Sequence, residues 1–260
     1  MISIYKNIYK MSDNKNILQK IVENKKQELE KNKSNWEKFK KIFKEKNANL
    51  IAEIKLASPK FDYSKEINIE EVFKHYWENK SIKAVSNLID QKYFSWDISR
   101  WKIFKQKYNK PIFFKEFVVN NTQIDWASYF WYDAILLLER VLSEEKLVEF
   151  SQYAIQKNIF PIIEVDNKET LEKILTSSLA PLLIRKGKIW IAVNCRNLWT
   201  MEIDRKKHFS IIEWLNKKLE NTLIFAFSWI DNLEQLKEYK WIYNWVLVGS
   251  YFMDKLKNNN

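Results

Sequence analysis

Eight short apolar runs govern what this chain can fold into. The first begins at Ile51 and ends in the polar pair Glu53 and Lys55. The others are Ile82–Leu88, Pro111–Phe114, Ala134–Leu138, Pro161–Val165, Ile189–Val193, Leu223–Phe227 and Trp245–Val248. They recur about every 20–35 residues, the spacing of strand–helix units. Several are apolar throughout rather than alternating, which marks strands covered on both faces. Helical periodicity fills the gaps near Ile69–Glu78, Trp101–Tyr108, Trp126–Phe130, Leu147–Gln156, Lys168–Thr176, His208–Leu219 and Leu233–Tyr239. Eight such units in 260 residues predict an α/β fold, a closed (β/α)8 TIM barrel. An open doubly wound sheet would want a glycine-rich phosphate turn after its first strand, and the chain has none there.

Residues 12 to 48 are rich in Lys, Glu, Asn and Leu. Ile17, Leu18, Ile21 and Val22 follow helical spacing, as do Trp36, Phe39, Ile42 and Phe43. A helical extension over 1–48 is therefore expected before a barrel over 49–256. No Pro/Gly/Ser-rich linker separates them, so a single domain is expected. No window holds eighteen uninterrupted apolar residues, so a membrane span is not supported. The first thirty residues mix lysines with Asp13, Glu23, Glu28 and Glu30 and lack an apolar core, so they do not read as a signal peptide. The single cysteine, Cys195, excludes an intrachain disulfide and fits a reducing, cytoplasmic setting.

The net charge of +11 comes with lysines interleaved among glutamates and asparagines, not gathered with aromatic residues. That pattern argues against a nucleic-acid partner and suits a small anionic, phosphorylated substrate. His75 and His208 are isolated in helical stretches and no Cys/His spacing supports zinc, so no metal site is expected.

Polar residues stand where the apolar runs end: Glu53, Lys55, Lys115, Glu164, Asn194, Arg196, Ser228, Gly249 and Ser250. In a closed barrel the carboxyl ends of the strands converge on one mouth. Any one of these residues alone reads as a solvated strand cap. Ionisable groups at the ends of so many buried strands point to a site.

The phrases IAEIKLASP, LIDQKYF, PIFFKEF, PIIEV, IAVNCRNL and VLVGSYFM occur in that order, and the likeness they carry extends from about residue 15 to 254. Together they resemble the indole-3-glycerol phosphate synthase family. That resemblance implies ring closure of 1-(2-carboxyphenylamino)-1-deoxyribulose 5-phosphate with loss of carbon dioxide and water, and no cofactor. It implies Lys115 as the acid, Glu164 as a base in the later dehydration, and Glu53 and Asn194 as orienting groups. Lys55 and Arg196 would hold the substrate carboxylate, with Ser58 nearby. Ser228, Gly249 and Ser250 would present backbone amides to the phosphate. The lysine acid and glutamate base would work best with proton affinities moved toward neutrality by burial and neighbouring charges. The expected assembly is a monomer, with no nucleic acid or membrane partner. A related phosphosugar isomerase barrel would share the phosphate loops but not the Glu53, Lys55, Lys115 and Glu164 set. A non-catalytic descendant would keep only the barrel.

The departures from the family pattern are specific. The seventh strand ends Phe227-Ser228-Trp229 where the family has Glu-Ser-Gly, so a mouth carboxylate is replaced by a ring. Asn87 and Ile89 stand where the family has an aliphatic residue and a threonine, and Lys60-Phe61-Asp62 replaces a lysine–glycine step. Glycine is scarce: only Gly187 and Gly249 occur, whereas ordinary usage of about 7% would give roughly eighteen. Tryptophan is abundant, at twelve, and Trp96, Trp131 and Trp229 fall at family glycine positions. Reading UGA as tryptophan in a host that decodes it as glycine would produce this pattern.

Overall fold

The computed structural model describes residues 49–58, 61–62, 67–90, 105, 108–176, 180–196, 202–219, 222–228, 230, 232–236 and 243–257, with helical positions at 19, 22–24, 26–27 and 41–42 before them. Two compact units are distinguished, Met1–Ile42 and Phe43–Asn260. Most of the predicted N-terminal extension lies outside the described residues, as do most of Trp101–Tyr108 and residues 237–239 of Leu233–Tyr239.

The second unit is a closed parallel barrel. Its eight strands are β1 (Asn49–Ile54), β4 (Ile82–Leu88), β5 (Ile112–Lys115), β6 (Ala134–Leu138), β7 (Phe160–Val165), β8 (Trp190–Asn194), β9 (Ile224–Phe227) and β10 (Trp245–Val248). Each pairs with the next in sequence, and β1 closes the ring against β10. A small antiparallel pair, β2 (Ala57–Ser58) and β3 (Phe61–Asp62), stands apart from it. The helices are α1 (Ile69–Glu78), α2 (Asn121–Tyr129), α3 (Glu144–Gln156), α4 (Lys168–Thr176), α5 (Ala180–Arg185), α6 (Arg205–Lys218) and α7 (Ser250–Lys257). The (β/α)8 expectation therefore holds.

Caps explain where helix starts differ from periodicity. The predicted Trp126–Phe130 helix begins instead at Asn121, because Asn120 and Gln123 form a reciprocal capping box one turn earlier. Ser143 accepts from the Lys146 amide and moves the start of α3 to Glu144, and Asp204 does the same for α6 through Lys207. Helices α5 and α7, with 6 and 8 residues, are too short for a periodic signal, so sequence reasoning missed them.

Alternation along each strand divides its side chains between two environments. Ile54, Val85, Phe114, Ile135, Leu137, Ile163, Val165, Ile191, Val193 and Val246 join Val72, Phe73, Phe150, Leu171 and Leu215 of the helices in one outer core. Burying each such side chain contributes about 1.5–3 kcal/mol relative to leaving it in water. The intervening residues face the barrel axis. Phe160 stacks on Trp190 at 4.2 Å, Trp190 on Phe225 at 5.7 Å and Phe225 on Trp245 at 6.0 Å, and Phe113 meets Phe225 edge-on. These rings fill the axis toward the start of the strands. One or two pleats further along, the same inward positions carry Glu53, Lys115, Glu164, Asn194 and Phe227.

Candidate active site

Strand register sets the polar layer. Glu53 pairs in register with Ser86, Leu88 with Lys115, Leu138 with Glu164, and Asn194 with Phe227. All lie at the carboxyl ends of their strands, so residues scattered over the whole chain share one mouth. Lys115 Nζ donates to Glu53 Oε1 at 2.7 Å, with the lysine side chain 22% exposed and that of Glu53 only 7%. From outside the barrel, the Tyr76 hydroxyl donates to the Glu53 backbone carbonyl at 3.2 Å and fixes the end of β1.

Glycine at 249 makes room for this pair. A β-carbon there would lie 2.6 Å from Glu53 Oε2 and 3.4 Å from Glu53 Cβ. Gly249 thus backs the Glu53 carboxylate, a contact sequence reasoning did not anticipate. A second polar pair forms on β7 and β8, where Asn194 Nδ2 donates to Glu164 Oε1 at 2.9 Å. The same Asn194 accepts the Arg196 amide through Oδ1 at 3.0 Å, turning the chain out of β8. Arg196 then bridges to Ile203.

The charges couple across the mouth. Burial raises the proton affinity of Glu164 above the ordinary carboxylate, against the opposing pull of Lys115 and the Asn194 hydrogen bond. Burial lowers that of Lys55; Glu53 opposes this, while the cations Lys115 and Arg196 reinforce it. Both shifts run toward neutrality. Lys115 departs from that expectation. Burial works against its charge, but Glu53 and Glu164 together outweigh it and hold the proton more firmly than in a free lysine. The negative charge of Glu53 is the largest of these pulls, followed by that of Glu164 and then by the direct hydrogen bond to Glu53.

The remaining sequence candidates occupy the adjoining rim. Ser228 follows β9 with φ of 55°, in left-handed backbone. Ser250 opens α7 directly after Gly249, so the first-turn amides of this helix face the mouth side of β10. β9 and β10 are paired neighbours, which sets Ser228 beside that helix start. Ser58 does not extend a barrel strand: its backbone pairs with Phe61 in the two-stranded ladder.

Sequence reasoning also missed an ion pair just beyond the strand ends. Arg140 Nη2 meets Asp166 Oδ2, joining the segments that follow β6 and β7. Asp166 lies two residues beyond Glu164, and its side chain is 7% exposed. The available signal was the polar Glu139-Arg140 step straight after an uninterrupted leucine strand. Phe227 is buried and supplies an apolar wall beside Asn194. Asn87, the other departure, lies between outward-facing neighbours and donates to the Tyr132 hydroxyl at 2.8 Å. Cys195 is buried with its thiol proton affinity pushed up by that burial, which is unsuited to a nucleophile. Among the described residues, no His, Cys, Asp and Glu cluster is arranged to hold a metal, and no helix is long and apolar enough to cross a membrane.

A family model for indole-3-glycerol phosphate synthase matches residues 5–260. The chain belongs to this family. The family is one of decarboxylating carbon–carbon lyases of tryptophan biosynthesis. An indole-3-glycerol phosphate synthase of Bacillus mycoides is 33% identical over 230 residues, covering 85% of each chain. A tryptophan biosynthesis protein TrpCF from Buchnera aphidicola subsp. Schizaphis graminum is 30% identical over 229 residues, covering 86% of this chain. The chain spans 47% of that relative's length. Among solved structures, the tryptophan synthase α-subunit of Campylobacter jejuni superposes with a TM-score of 0.56 at 15% identity, covering 83% of this chain and 95% of its own. A mutant α-subunit from Pyrococcus furiosus gives 0.58 at 12% identity, covering 82% and 96%. These two likenesses speak for the barrel alone. The family match is to the synthase that the sequence phrases resemble.

Proposed function

We propose that the barrel mouth closes 1-(2-carboxyphenylamino)-1-deoxyribulose 5-phosphate to indole-3-glycerol phosphate, with Lys115 as the acid and Glu164 as the base. The substrate phosphate rests against the Ser250 and Tyr251 amides at the start of α7 and the Ser228 turn, where the helix partial charge favours an anion. Arg196 and Lys55 take the aromatic carboxylate, the arginine through its planar fork. The ring carbon bearing that carboxylate attacks the ribulose carbonyl carbon, and Lys115 delivers a proton to the carbonyl oxygen as the new carbon–carbon bond forms. Carbon dioxide then leaves, and its bonding electrons restore the aromatic ring. Glu164 then removes the proton from the adjacent carbon of the new ring, while Lys115, reprotonated from solvent, protonates the departing hydroxyl; it leaves as water and completes the indole.

One observation supports this reading above the others: a protonated lysine and a carboxylate of raised proton affinity share a mouth, each held by its own partner, Glu53 and Asn194. The binding-loop geometry alone would suit many phosphosugar barrels. A second assignment has its own support. Lys55 is the lysine whose proton affinity falls toward neutrality, so it fits the tuned acid better than Lys115 does.

Fluorescence of indole-3-glycerol phosphate decides between them. The folded protein turns over the substrate, and Lys115→Met removes that turnover while Lys55→Met mainly raises KM. The reverse pattern assigns the acid to Lys55. Absence of product from folded protein carrying both lysines overturns the reading altogether.

A further inference from the structure

Three helices of the barrel end in one and the same turn. After α2, the Trp131 amide donates to the Ser128 carbonyl at 3.1 Å and the Tyr132 amide to Ala127 at 2.9 Å. After α3, Asn158 donates to Ile155 at 3.0 Å and Ile159 to Ala154 at 2.9 Å. After α5, Gly187 donates to Ile184 at 2.8 Å and Lys188 to Leu183 at 2.9 Å. This paired hydrogen bonding is the Schellman motif, which requires left-handed backbone at the residue just past the cap. The three φ angles agree closely: 61° at Trp131, 60° at Asn158 and 62° at Gly187.

The residues filling that position do not agree. Glycine has no β-carbon to clash with the following carbonyl, and asparagine is the side chain that best tolerates the conformation. Tryptophan has neither property. Among the described residues, Trp131 is the only large side chain with positive φ, the fourth such position being Ser228. The neighbouring helices act as internal controls, because the same fold makes the same turn with a compatible residue twice.

Composition points the same way by an independent route. The chain has 2 glycines and 12 tryptophans, where ordinary glycine usage alone would supply roughly eighteen. We propose that residue 131 is glycine in the protein as its own host makes it, its codon being a UGA that the host decodes as glycine and the written sequence reads as tryptophan. The geometry makes the assignment at this position specifically. Trp190 and Trp245 lie within strands, where the backbone makes no demand for glycine, and their rings stack in the barrel axis.

The position matters for the barrel because the turn feeds β6 directly. Tyr132 receives the Asn87 hydrogen bond, and Asp133 accepts the Ile112 amide at 2.8 Å and pairs with Lys105. Relief of strain at residue 131 therefore acts on the start of a central strand.

The inference is independent of the catalytic reading, and its test needs no activity. Peptide mass spectrometry of the protein isolated from its native host should find glycine at position 131, and tryptophan there overturns the proposal. Recombinant proteins carrying Trp, Ala and Gly at this position supply the second measurement. Trp131→Gly should unfold about 2–8 °C above the written sequence, the shift expected from relieving one left-handed L-residue in a domain of this size. Trp131→Ala removes the ring but keeps the β-carbon, so it should fall short of Trp131→Gly. An alanine variant as stable as the glycine one, or a tryptophan form more stable than either, shows that the turn does not select glycine.

Discussion

Replacing Lys115 with methionine keeps most of the side-chain length and deletes the cation that Glu53 faces at 2.7 Å. Two separable losses should follow. The first is in stability, because Glu53 is then a carboxylate, 7% exposed in its side chain, without its lysine. Breaking a fully buried pair costs about 3–5 kcal/mol, and the 22% exposure of Lys115 places this one lower, at about 2–3 kcal/mol. At about 2–4 °C per kcal/mol for a chain of this size, the midpoint should fall by roughly 4–12 °C. The second loss is in turnover, by about two to four powers of ten, the usual effect of a positioned general acid. A second change separates them. Glu53→Gln added to Lys115→Met removes the stranded charge, so the double variant should recover most of the midpoint and none of the rate. Thermal unfolding together with kcat and ligand Kd for all four forms completes the cycle. A double variant no more stable than Lys115→Met would refute the claim that the loss comes from an unpaired Glu53. A kcat within tenfold of the parent, with a raised KM, would refute the acid role.

Gly249→Ala should lower kcat by about tenfold or more through displacement of the Glu53 carboxylate, which the new β-carbon would meet at 2.6 Å, while Kd for inorganic phosphate changes little. The acid limb of the pH–rate profile should lie above the ordinary glutamate value of 4.5, because the base must be ionised and burial raises Glu164. Asn194→Ala removes a hydrogen bond that favours the ionised form and should move that limb higher still; an unmoved limb would assign it to another group. The same shift has a stability consequence: the folded state binds the Glu164 proton more tightly than the unfolded one, so its contribution is present below pH 4.5 and lost as pH rises through the raised value. Glu164→Gln should therefore gain midpoint relative to the parent at pH 8, as thermal unfolding would show. Arg140→Leu leaves Asp166 buried without its arginine and should lower the midpoint by about 1–3 kcal/mol in stability, with the Glu164 limb moving upward because an opposing positive charge is gone.

What the sequence by itself determined was the repeat of strands and the chemistry at their ends. Ala134–Leu138 and Trp245–Val248 were readable because strands buried on both faces must be apolar throughout, a constraint local to a few residues. Glu53, Lys115 and Glu164 were readable as a set because charges terminating buried runs are costly without a purpose. Helix α2 was misplaced because its signal lies in the Asn120–Gln123 cap and not in an apolar stripe. The tertiary structure alone decided which charges pair. Lys115 meets Glu53 across 62 residues, and Gly249 backs that same carboxylate only because β10 closes against β1. That contact raises the proton affinity of Lys115 where isolated burial would have lowered it. Three φ angles set by helix ends, closely similar at Gly187, Asn158 and Trp131, likewise depend on where each helix stops, which a hydrophobic pattern does not encode.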